Sequence, residues 1–101
     1  KMRNYEIMFI VKPTLAEDAI KTVADNFKAT LENNGTKVTN VDVWGQKTLA
    51  YEIKKGSETF KSGYYFVLEA EADTDKGIKE FDRLAGISQD IIRHLIIKKE
   101  D

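Results

Sequence analysis

The spacing of apolar residues switches repeatedly between a period of two and a period of three to four, and each switch marks an element. Asn4 to Lys12 is short, rich in Ile, Phe, Tyr and Val, and closed by Pro13, which predicts a strand. Thr14, followed three residues later by Glu17 and then Asp18, resembles a capping box and predicts a helix N-terminus. Ile20, Val23, Phe27 and Leu31 then recur at helical spacing, flanked by Ala16 and Ala24, and Asn34-Gly35 supplies the stop. A long extended segment follows, Lys37 to Ile53. Val41, Val43, Leu49, Tyr51 and Ile53 share one parity, Val38 and Trp44 take the other, and Gly45 sits where a bulge or bend fits.

Lys54 to Ser62 is polar and contains Gly56, so it reads as a hairpin loop before a strand from Tyr64 to Glu71. Asp73 or Thr74 is the expected cap of a second helix, which buries Ile78, Phe81, Leu84 and Ala85. Gly77 weakens its first turn and Gly86 ends it; Ser88 to Asp90 turns the chain into a last strand, Ile91 to Lys98. The order is strand, helix, strand, strand, helix, strand. It predicts the α+β ferredoxin-like split βαββαβ, a four-stranded antiparallel sheet with two helices on one face. One domain over residues 2–99 is expected, with Lys1 foreign to the chain and Met2 its initiator.

That architecture leaves one sheet face uncovered, yet both parities of the strands are apolar. Met8 and Ile10 lie beside Ile7 and Phe9, Tyr65 and Val67 beside Tyr64, Phe66 and Leu68, and Leu95 and Ile97 beside Ile92 and Ile96. A half-solvated antiparallel sheet ordinarily alternates apolar with polar. The expectation is therefore a partner surface, the plainer alternative being that edge residues or loops shade part of it.

Composition narrows the partner. The chain has 101 residues, 42% hydrophobic and 33% charged, enough for one core. Without cysteine, disulfides and thiolate metal sites are excluded. Apolar runs are far shorter than the ~20 residues of a membrane span. A net charge of −1 rules out nucleic-acid binding by bulk charge, so any RNA contact needs a local cluster.

Catalytic chemistry has little to work with. His94 stands alone in a strand and is better read as a strand residue than a base. The glycines are too scattered for a phosphate loop. Asp73 with Asp75 suits helix capping better than a metal, and Glu69 with Glu71 reads as a solvated rim. No enzyme activity, cofactor, metal, membrane association or small-molecule substrate is expected.

RNA chemistry has two candidates. Lys61-Ser62-Gly63-Tyr64-Tyr65-Phe66-Val67 loosely matches the third-strand motif with which RRM domains stack bases, with Phe9 as the matching first-strand aromatic; core packing of Tyr64 and Phe66 is the favoured reading. The second is a basic set, Arg3, Lys47, Lys54, Lys55, Arg93 and Lys98, for which a solvated rim is the default. Arg93 stands out because it interrupts the apolar run Ile91 to Ile97.

Three separated stretches then resemble one family. Met2-Arg3-Asn4-Tyr5-Glu6 with Pro13 beyond it, Trp44-Gly45-Gln46-Lys47-Thr48-Leu49-Ala50-Tyr51-Glu52-Ile53, and Phe81 to Ala85 followed by Asp90 to Lys98 are similar to the opening, centre and end of bacterial small-subunit ribosomal protein six. The resemblance implies a structural protein of the cytoplasmic ribosome. It implies binding to the central domain of small-subunit ribosomal RNA together with small-subunit ribosomal protein eighteen, during platform assembly. It carries Arg3, Lys47, Arg93 and Lys98 over as RNA-facing candidates, with Lys54 and Lys55 added from the basic stretch. Trp44, Leu49 and Tyr51 become candidates for the partner protein or for the fold itself, and Leu95 of the uncovered face is added to the partner candidates. Gln46 stands where the family carries a basic residue, and Glu52 where many members carry proline. Two other readings remain: an RRM-like binder of single-stranded RNA, and a small-molecule-binding regulatory α+β domain.

Overall fold

A computed structural model describes residues 2–99. The elements are β1 (Arg3–Val11), α1 (Glu17–Asn33), β2 (Lys37–Lys55), β3 (Glu58–Ala72), α2 (Lys76–Ile87) and β4 (Ile91–Lys99). The strands form one antiparallel sheet in the order β2-β3-β1-β4, the ferredoxin-like arrangement. Tyr5, Ile7, Phe9 and Val11 of β1 alternate onto the helix side, where they meet Ile20, Ala24, Phe27 and Leu31 of α1 and Ile78, Phe81 and Ala85 of α2. Four phenylalanines tie the layers together. Phe9 lies 5.7 Å from Phe27, 5.2 Å from Phe66 and 5.8 Å from Phe81 by ring centroids, and Phe27 meets Phe81 edge-on at 5.3 Å. Phe9 is therefore wholly buried and cannot be a stacking aromatic of an RRM-like surface.

The helix starts differ from expectation. The α1 cap is Ala16, not Thr14, and no side chain caps it. Leu15 just before the cap and Ile20 in the first full turn both join the core, the two positions of a hydrophobic staple. Packing of Leu15 thus sets the entry angle, and Thr14 is left exposed in the preceding turn. Glu17 and Asp18 still favour the positive end of the helix dipole. In α2 the cap is Asp75 rather than Asp73 or Thr74; its carbonyl accepts from the Lys79 N–H at 2.8 Å. Gly86 does not end this helix, which continues to Ile87.

The largest difference is in the hairpin. Lys54 to Ser62 is not a loop. β2 and β3 pair to the very tip, with Ile53 opposite Phe60, Lys54 opposite Thr59 and Lys55 opposite Glu58, and turn at Gly56-Ser57. Both faces of this tip meet solvent except at Ile53 and Phe60, so its composition imitates a loop. The single parity expected for β2 is also broken. Register shifts fall between Val38 and Asn40, Val43 and Gly45, and Thr48 and Ile53. Val38, Val41 and Val43 consequently pair with the helix-side residues Ala70, Leu68 and Phe66, whereas Leu49 and Ile53 lie on the opposite face. At the last shift, residues 49–52 of β2 oppose Lys61 alone, and the extra length bends the hairpin over the sheet. Leu49, Ile53 and Phe60 there cover Ile10 and Ile92 in a second, smaller core.

Gly77 is where α2 closes on the loop after α1. A Cβ there would collide with the Thr36 hydroxyl oxygen, whereas one at Gly86 would meet nothing within 4 Å. The two glycines of one helix should therefore respond oppositely to alanine. Gly86→Ala is expected to stabilise by about 0.5–1 kcal/mol through helix propensity. Gly77→Ala is expected to destabilise by about 1–3 kcal/mol through overpacking. Urea unfolding midpoints of the two variants decide the matter.

Candidate RNA- and protein-binding face

Cross-strand pairing lays out the open face in rows from β2 to β4. The row nearest the hairpin holds Lys47 opposite Gly63. Next come Gly45, Tyr65, Ile10 and Arg93, then Asp42, Val67, Met8 and Leu95, and then Asn40, Glu69, Glu6 and Ile97. Chemistry changes along these rows. The hairpin end is aromatic and cationic, the middle is apolar, and the far end is carboxylate-rich. Only the hairpin end is roofed by the second core, so the apolar face is shaded in part and open elsewhere. Leu95 is 49% exposed and Ile97 44%.

Trp44 occupies the bulge between Val43 and Gly45, and its ring lies against Tyr65 with centroids 6.3 Å apart and planes 13° apart. A hollow of about 180 Å³ is lined by Tyr65, Leu49, Tyr51 and Arg93, among others, and not by Trp44. A larger hollow of about 440 Å³ lies on the helix side between α1 and β2–β3, and no residue of the expected set lines it.

The expected site residues separate into groups. Arg93, Lys47, Trp44 and Tyr51 cluster at the hairpin end, with Leu95 one row away. Tyr51 is 83% exposed, whereas Leu49 is buried and serves the second core. Lys54 and Lys55 stand at the hairpin tip. Arg3 and Lys98 lie at the other end of the sheet, on the helix-side parity beside Ala72 and Tyr5. Seven residue steps along β1 separate Arg3 from the Arg93 row, roughly 24 Å at ordinary strand rise. Parity alone could not group them, because the β2 bulges decide which face Lys47 and Trp44 share. Lys61 is drawn into an ion pair with Glu52 at 3.7 Å.

His94 faces α2. Its Nε2 lies 2.7 Å from Asp82 Oδ1 and its ring meets Phe81 edge-on, which ties β4 to α2. At the carboxylate end, Lys99 Nζ donates to Glu69 Oε1 at 2.9 Å and lies 4.0 Å from Glu6. That hydrogen bond, more than the charge itself, holds the Glu69 carboxyl below its ordinary range and the Lys99 ammonium above its own. This pair was not anticipated from sequence, although Glu6 and Glu69 share the parity of Met8 and Val67.

No cluster of three or more potential metal ligands exists among the described residues, and no helix among them is long and apolar enough to cross a membrane. A sheet with both helices on one face and a graded, partly open face on the other defines a small ferredoxin-like α+β domain. Comparison with known proteins narrows that class. The sequence profile of ribosomal protein S6 matches residues 4–98, so the chain belongs to the ribosomal protein S6 family. The crystal structure of 30S ribosomal protein S6 from Thermotoga maritima is similar to it over 98% of this chain and 89% of that one, with 29% identity and a TM-score of 0.89. An amidase of the hydantoinase/carbamoylase family from Burkholderia phymatum matches 99% of this chain but 28% of its own, at 11% identity and a TM-score of 0.43, which carries no argument. Family membership makes the chain a structural component of the small ribosomal subunit.

The Glu69–Lys99 pair has a defined pH window. A depressed carboxyl pKa favours the folded state above the ordinary Glu value, and the gain is lost as pH falls through the depressed value. A raised lysine pKa adds the upper limit: its share is lost as pH rises through the raised value. Both groups are exposed, so the effect is small. The stability difference between the protein and its Glu69→Gln variant should be present at pH 7 and fade below about pH 4, read as urea midpoints across a pH series.

Proposed function

We propose that this chain binds the central domain of small-subunit ribosomal RNA jointly with small-subunit ribosomal protein eighteen, as a structural constituent that enters the subunit during platform assembly. The role is structural rather than catalytic, and it is exercised on the cytoplasmic ribosome. The observation that carries the reading is the open face, which changes along its length from cationic and aromatic to apolar to acidic. Such a face suits two partners at once, a polyanion at the hairpin end and a protein surface over the apolar middle. Arg93 and Lys47 are the RNA contacts best placed at that end, with Lys54 and Lys55 at the tip; Arg3 and Lys98 would meet a second stretch of RNA at the far end. Leu95 and Tyr51 are the protein contacts.

A net charge of −1 gives little non-specific attraction to RNA, so joint binding is required for affinity. Mobility-shift titrations against the central-domain junction should show weak binding by the chain alone and cooperative binding with protein eighteen. Arg93→Ala should lower the log–log salt slope of the joint complex by about 1. A partner-bound protein that ignored the junction would remove the proposal.

A further inference from the structure

We propose that Trp44 and Tyr65 form a stacking platform for one unpaired nucleobase, with Lys47 and Arg93 holding the phosphates on either side of it. This rests on the reading of the chain as an RNA-binding protein and goes further by naming the nucleotide conformation and the residues that take it.

Three independent observations meet at this spot. The first is the indole itself. Tryptophan is buried in most folds, yet Trp44 keeps 49% of its surface exposed while its ring lies nearly parallel to Tyr65. A third flat ring can continue that stack on the indole's uncovered side. Stacking on aromatic rings is how proteins hold splayed bases, because every base presents a π-face.

The second is the backbone that presents the ring. Trp44 sits in a β-bulge whose next residue, Gly45, has φ +79°. In that left-handed region glycine is favoured. The extra residue sets both Trp44 and Gly45 against Tyr65 and so brings the indole over the tyrosine. The bulge is thus tied to the placement of this one side chain.

The third is charge. Arg93 lies in the same row as Tyr65, two strand spacings away, roughly 10 Å. Lys47 lies two residues beyond Gly45 on the same face, roughly 7 Å along the strand. Neither forms an ion pair among the described residues. Asp42 stands one row towards the middle, and Glu52, farther along β2, is engaged by Lys61. A cation on each side of an exposed ring favours a nucleotide over the apolar side chain of a basic protein segment.

Trp44 is the single tryptophan of the chain, so its emission reports on the platform directly. The full chain is titrated at low salt with a single-stranded RNA oligonucleotide of mixed sequence, with the same sequence as a duplex, and with the central-domain junction plus protein eighteen. Quenching by the single strand and by the junction complex, but not by the duplex, is the expected result. Trp44→Ala should weaken single-strand binding about 5- to 150-fold, the equivalent of roughly 1–3 kcal/mol for one stacked base. Trp44→Phe should restore most of it, and an unchanged thermal melt in both variants shows that the fold is intact. Unquenched emission with the single strand, or unaltered affinity of Trp44→Ala, overturns the platform. So does a blue shift caused by protein eighteen alone with no further change on adding RNA, which would make Trp44 a protein contact. The arms separate the two claims. Joint assembly on the junction with silent Trp44 emission defeats the platform and leaves the function standing; quenching by the single strand without junction binding does the reverse.

Discussion

The packing of Phe9 against Phe27, Phe66 and Phe81 is the constraint from which the rest of the molecule follows. Phe9 lies on β1, a central strand, and touches both helices and the neighbouring strand. Each such aromatic pair adds about 0.5–1.5 kcal/mol beyond burial of its surface. Once Phe9 points towards the helices, the period of two assigns every other residue of β1: Tyr5, Ile7 and Val11 go to the core, and Glu6, Met8 and Ile10 go to the open face. A slip of one residue would place glutamate among the phenylalanines and phenylalanine in water. The helix-side core therefore determines which residues stand on the open face.

The same reasoning explains why the hairpin bends. β2 and β3 have 19 and 15 residues, whereas β1 and β4 have 9 each, so the hairpin outruns the sheet that supports it. A flat extension would leave Leu49, Ile53 and Phe60 in solvent along an unsupported ribbon. Bending it lets these three cover Ile10 and Ile92. The bend leaves Gly63 buried beneath, with no room for a side chain against Ile10. A short roof is built at one end of the face, and the aromatic pair and Arg93 stand at its edge. Farther along, Leu95 and Ile97 remain exposed among the described residues.

Element order, both helix faces, the Gly35 helix stop and the bulge near Gly45 were legible in the sequence, because each depends on local chemistry. A helix stripe such as Ile20, Val23, Phe27 and Leu31 announces itself within fifteen residues. The hairpin tip was not legible, because Ile53 opposite Phe60 is the one buried apolar pair there, amid polar residues. Nor was the facing of β2: the register shift between Val43 and Gly45 puts Val41 and Leu49, which share a parity, on opposite faces. The α1 start was misjudged for a related reason, since Leu15 packing overrode the local signal at Thr14. The three-motif resemblance to the S6 family was legible, whereas the arrangement of the basic candidates in space was not. Their separation into two ends roughly 24 Å apart depends on the pairing of distant strands, which no local pattern contains.

That separation bears on how a nearly neutral protein holds RNA. If Arg3, Lys98, Lys47 and Arg93 formed one patch, the patch alone would attract any polyanion. Split between two ends, with Arg3 and Lys98 on the helix-side parity and Glu6 and Glu69 on the intervening open face, they would, as the proposed RNA contacts, favour an RNA whose phosphates arrive at two fixed places over one that lies across the middle. Lys99 reinforces this division, since its ammonium is committed to Glu69 and Glu6 and adds little free positive charge to the far end. Shape then carries more of the selectivity than net charge does. Under the proposed joint binding, a second protein over the apolar middle would supply the binding energy that the charges withhold, and RNA recognition would then be a joint property of two chains.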